Sequence, residues 1–186
     1  LMMGLVWLAR PSTINPWIRR HLHLNHHKVS GSEADMEERA ITNGEPWGLA
    51  RLLMVGDNVM SAFIRLLRAK TWAHKRSILK RTLKVYFPLA LLHWGAWYVF
   101  LGFHGANGVA SLLGTSIDWS ATTLATMQVI DIAAVVIIGP NVLRTFCLHF
   151  ISSNMHYYGD IEPGNVIQQT QVLNPWWLWP LQAFCF

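Results

Sequence analysis

The spacing of apolar and polar positions divides the chain into segments of different hydrophobic period. Leu1 to Ala9 is almost wholly apolar but too short to span a bilayer, so it is expected to be the cytoplasmic end of a helix begun upstream, with Arg10 and Pro11 at its exit. Pro16-Trp17 opens a polar helix that Gly31 is expected to close as a C-cap, and Ser32 caps a new acidic start over Glu33 to Glu38. From Trp47 to Leu67 the residues Leu49, Leu52, Leu53, Val59, Met60, Phe63, Ile64 and Leu67 recur at helical spacing, with Arg51, Asp57, Arg65 and Arg68 set among them. That pattern suits a helix lying in an interface plane. Val85 to Phe103 and Thr122 to Leu143 are apolar runs of about 28 and 33 Å as helices, matched to a hydrocarbon core of about 30 Å. The predicted class is all-α, a polytopic membrane protein: a transmembrane helical hairpin, 85–103 and 122–143, with cytosolic and interfacial helices over 10–84 and a cytosolic stretch over 144–186, all in one domain spanning 1–186.

Composition supports the membrane assignment, with 52% apolar residues, ten tryptophans and only 13% charged residues in 186. The net charge of +5 raises nucleic acid as a partner, but the distribution of charge argues against it. Fourteen of the fifteen Lys and Arg residues lie between Arg10 and Lys84, and Val85 to Leu143 has none. That asymmetry puts both flanking regions on the cytoplasmic side and the Gly-rich connection His104 to Ala121 outside. The basic run from Arg65 to Lys84 suits anionic lipid headgroups better than the phosphates of a thioester carrier or an electron-donor protein, because no Gly-rich phosphate loop accompanies it. Cys147 and Cys185 fall on the reducing side, and no disulfide is expected. Both termini lie inside apolar runs with no charged n-region, so the chain reads as a fragment of a longer protein.

The candidate chemistry lies in two histidine clusters. His23, His26 and His27 form an H-x-x-H-H box, and at about 100° per residue a helix gathers positions i, i+3 and i+4 on one side, leaving His21 on the other. Neutral imidazole suits iron, zinc and copper, so three on one face can chelate one ion or divide between two. The alternative is a solvated basic helix end with scattered histidines. His149 and His156 are seven residues apart, two helical turns, on a run continuous with the second apolar segment, and Ser152 and Ser153 lie between them. The hairpin returns them to the side that carries the box. Alone, such a pair is more often capped or interfacial than ligating; beside the box it becomes a candidate ligand set.

These residues carry a resemblance to the membrane fatty acid desaturase and hydroxylase superfamily. His23, His26 and His27 match its second box, and His156-Tyr157-Tyr158-Gly159 is similar to the extra-histidine motif H-x-Y-G of the acyl-CoA desaturases. The resemblance implies two iron ions held by His23, His26, His27, His156 and His149, O₂ as co-substrate, a fatty acyl lipid as substrate, and an electron donor such as cytochrome b5 or a ferredoxin with its reductase. Ser152, Asn154 and Asp160, with Glu162, Glu33 and Asp35, are candidates to orient the rings. Ser152 stands where the acyl-CoA enzymes have Asn, which argues against an acyl-CoA carrier. The family's first box, H-x-x-x-H, and its third are absent; by family order they would lie before Leu1 and soon after Phe186. A hydroxylase of the same superfamily shares every motif here.

Two residues within the apolar runs suggest a different class. His93 and Asp131 could belong to the pathway of a non-enzymatic membrane metal carrier. A carboxylate at mid-span costs on the order of 2.5 to 3.5 kcal/mol, so Asp131 should have a partner; the nearest candidates by depth are His93 and Gln128, and a pairing with His93 would lock the hairpin.

Overall fold

The computed structural model describes residues 1–29, 46, 48–155, 175–180 and 183, with only the backbone for 153–155. Among the described residues every regular element is helical. Two short helices come first, α1 (Met2–Ala9) and α2 (Pro16–Val29). Asn15 starts α2 by accepting the Trp17 N–H on Oδ1 at 3.0 Å, and Pro16 follows at the one helical position where a missing N–H costs nothing.

The amphipathic stretch forms two helices, α3 (Leu49–Gly56) and α4 (Asn58–Arg68), where the hydrophobic pattern predicts one. Asp57 divides them because its side chain competes with the helix: Oδ1 accepts the N–H groups of Val59 at 2.7 Å and Met60 at 3.0 Å, which caps α4. Its Oδ2 accepts from Tyr98 Oη at 2.8 Å, joining the cap to a later helix. The core lies where α3 meets the helix Gly139–Met155, with Met54, Val55, Cys147 and Ile151 almost fully enclosed.

The basic helix α5 (Trp72–Tyr86) opens on Thr71, whose hydroxyl oxygen accepts the His74 N–H at 3.2 Å. It ends at Phe87, held extended by Pro88, and the chain then bends by 102° into α6 (Leu89–Leu112). After a short connection α7 (Ala121–Ala133) runs through a π-helical turn, Ala134–Ile138, into α8 (Gly139–Met155). Pro140 lacks the N–H that would bond back to Val136, and the wider turn absorbs that loss. Asn141 Nδ2 satisfies one exposed carbonyl, Ile137 O, at 2.9 Å.

The apolar runs therefore have different bounds from the expected 85–103 and 122–143. His104 to Gly108 reads as a loop because glycine favours turns in water, but the helix continues through it to Leu112. Glycine is common in membrane helices, where no water competes for the backbone. The segment Ala121–Ser152 is long and apolar enough to cross a membrane, and 17% of its most apolar window is buried. The bent pair α5 and α6 passes the same test only when taken together.

The hairpin partner of Asp131 is His104, not His93: His104 Nε2 and Asp131 Oδ1 are 2.8 Å apart. Extending α6 moves the crossing point. Asp131 lies about ten residues into α7, so the residue opposite it lies about ten before the end of α6, near 102, half a turn from His104. His93 lies about three turns before His104 on α6. It is 4% exposed, and neither ring nitrogen has a hydrogen-bond partner among the described residues.

Candidate metal centre

The box helix is held in place by the turn in front of it. Ser12 is fully buried, and four elements converge on the turn around it. Its carbonyl accepts from Trp94 Nε1 at 3.2 Å and Asn58 Nδ2 at 3.3 Å. Its hydroxyl lies 2.9 Å from Thr145 Oγ1, and Thr145 donates its own proton to Asn141 O at 2.7 Å, so Ser12 is the donor of that pair. Asn15 N donates to Val85 O at 2.8 Å, and Asn141 Nδ2 reaches Ala9 O at 3.4 Å. Trp7 and Trp17 meet edge to face at 6.0 Å, setting α1 against α2.

On the helix so fixed, the three rings gather as the box spacing requires. His23 and His27 lie edge to face with centroids 4.6 Å apart, His26 and His27 are at 5.5 Å, and His23 and His26 stack at 5.9 Å. The closest approach is between His23 Nε2 and His27 Nε2, 3.2 Å. Two imidazole nitrogens on one metal ion, each at about 2.0–2.1 Å and subtending a tetrahedral or octahedral angle, are about 2.9–3.4 Å apart. The pair therefore stands at chelating distance, a separation that a hydrogen bond between neutral rings also satisfies. His26 is the inward member, 8% exposed, while His23 and His27 are exposed. The box is thus a surface pair plus one buried ring.

His149 is placed by α3. Its Nδ1 is 3.3 Å from Val55 O, a fully buried carbonyl, and Arg19 at the start of α2 is within electrostatic reach. A ring that donates Nδ1–H to a backbone carbonyl presents Nε2 as its free lone pair, the tautomer a metal needs. Ser152, one turn beyond, is half-buried. The His156, Asp160, Glu162, Glu33 and Asp35 positions lie outside the described residues, as does the Asn154 side chain. Among the described residues no three His, Cys, Asp or Glu side chains converge as one metal-ligand group.

Sequence reading missed the support of this site: Ser12, Asp57, Tyr98, Asn141 and Thr145. The signal was present, since a polar side chain inside an apolar segment must find a partner and Asn-Pro marks a turn. Comparison with known protein families, curated proteins and solved structures finds no match to this chain.

Proposed function

We propose that the chain carries part of the site of a membrane-bound diiron oxidase that desaturates a fatty acyl lipid with O₂. The observation that supports it is the 3.2 Å separation of His23 Nε2 and His27 Nε2, with His26 directed inward beside them. Oxygen-, nitrogen- and sulfur-based side chains supply no oxidant strong enough to take hydrogen from an unactivated methylene, so iron and O₂ supply that chemistry when bound. The chain's own residues hold and orient. His23 and His27 offer a paired donor set, His26 a third nitrogen from the protein side, and Val55 O fixes the ring of His149. His156 and the two further boxes complete the proposed ligand set. The exposed apolar sides of α6 to α8 suit contact with lipid, and the helix continuous from Ala121 to Met155, about 50 Å long, exceeds the hydrocarbon core and leaves its last turns for the cytoplasmic side with the box.

The test has two parts. The natural coding sequence should place H-x-x-x-H ahead of Leu1 and H-x-x-H-H or Q-x-x-H-H soon after Phe186; finding neither would remove the family reading. Full-length protein given a labelled acyl lipid, O₂ and a reductant should yield a double bond, whereas an alcohol would identify a hydroxylase. Absence of both products from protein with a full iron complement would refute the oxidase assignment.

A further inference from the structure

Helix α5 is fifteen residues long and none of them is buried. Among its exposed residues are Trp72 at 79%, Leu79 at 49% and Leu83 at 46%. At about 100° per residue these three fall within about 40° of one another, one apolar stripe. Exposed Arg76, Lys80, Lys84 and Arg81 follow round the helix from that stripe, about 20° to 160° beyond it. The helix axis is bent by 102° from α6, so when α6 runs along a membrane normal, α5 runs along the membrane surface.

We propose that α5 is an in-plane surface helix whose Arg76, Lys80 and Lys84 collect anionic phospholipid headgroups while Trp72, Leu79 and Leu83 enter the acyl boundary. The proposal rests on the reading that α6 crosses the bilayer and names the lipid partner of that arrangement. Two features select lipid over a soluble phosphate compound. The charges are displayed on a convex helix surface, with no loop of backbone N–H groups among the described residues to enclose a phosphate. They also border an exposed apolar stripe, which a soluble phosphate leaves in water but an interface covers. Each Lys or Arg near an anionic surface adds attraction that salt screens.

The experiment uses the whole chain reconstituted in phosphatidylcholine vesicles, with a fluorophore at Ser77→Cys on the exposed side of α5. Energy transfer to a headgroup-labelled phosphatidylglycerol is compared with transfer to a headgroup-labelled phosphatidylcholine at equal mole fraction. The anionic probe should be enriched about twofold or more around α5. Enrichment should vanish in Arg76→Gln/Lys80→Gln/Lys84→Gln, and also in unaltered protein at high salt, a comparison that needs no variant to fold. Equal transfer to both probes, in protein that resists carbonate extraction and is therefore inserted, overturns the proposal while leaving the membrane reading intact. Release by carbonate instead sinks the membrane reading, and this proposal with it. If millimolar pyrophosphate abolishes the enrichment while sodium chloride of equal ionic strength does not, the face holds a soluble phosphate carrier and the lipid assignment falls.

Discussion

The proton on Thr145 shows how single residues govern this molecule. Thr145 donates to Asn141 O and thereby leaves its oxygen to accept from the Ser12 hydroxyl, 133 residues away in sequence. Thr145→Val keeps the shape and leaves a buried donor unpaired, which costs about 1–3 kcal/mol, whereas Thr145→Ser keeps both bonds. The expected outcome is a lower thermal midpoint for Val and a near-unchanged one for Ser, measured by scanning the detergent-solubilised protein; equal losses would show that the methyl group, not the hydroxyl, matters. A second prediction separates the faces of α2. His23→Ala and His26→Ala should each lower bound iron in full-length protein, measured by elemental analysis, with insertion unchanged, and His21→Ala should leave iron in place. Iron lost equally on His21→Ala would break the face assignment.

At the scale of elements, much was legible because hydrophobic period is a strong signal. The helical character of the amphipathic stretch, of the apolar runs and of the box segment follows from it. Two misreadings have physical causes. Gly56-Asp57 carries a helix-stop followed by a helix-start signal, but the apolar spacing runs straight across it and masks the cap. His104 to Gly108 looks like a loop on glycine content alone, although the continued helix satisfies every backbone group without water. The π turn was not legible, since Pro140 announces a disturbance but not its form. Gly139 permits that form: a Cβ there would stand 2.8 Å from Ala134 O. Gly139→Ala should therefore strain the turn by roughly 1–3 kcal/mol, where Gly95→Ala, with open space around it, should be neutral or mildly stabilising. Thermal unfolding of both variants decides; equal midpoints would show that the turn yields freely.

For the whole molecule, the position of the hairpin depends on how α6 and α7 are paired, and the polar contact that reports it is His104 with Asp131. Both side chains remain partly exposed, 46% and 39%, inside an otherwise apolar surface, so the pair is a local polar island on the hairpin and not part of the histidine site at the other end. His104 is further framed by Phe100 at 4.6 Å and Phe103 at 5.2 Å, which restrict its ring and hold it toward α7. In the membrane reading proposed above neither group has water as an alternative partner, so each loses this contact when the other is replaced. Measured interhelical hydrogen bonds in membranes are modest, roughly 0.6 kcal/mol on average and up to about 1.7, because partly unfolded helices find other partners. His104→Leu and Asp131→Leu should each lower thermal stability, and a double-mutant cycle should show a coupling of about 1 kcal/mol, the double variant losing less than the two losses together. Asp131→Asn should keep most of the stability by retaining a hydrogen-bonding oxygen. A His93→Leu/Asp131→Leu cycle should be additive, since His93 lies about three turns from His104 along α6. Coupling of Asp131 to His93 in place of His104 would mean that the spans are offset by about three turns from the pairing described here.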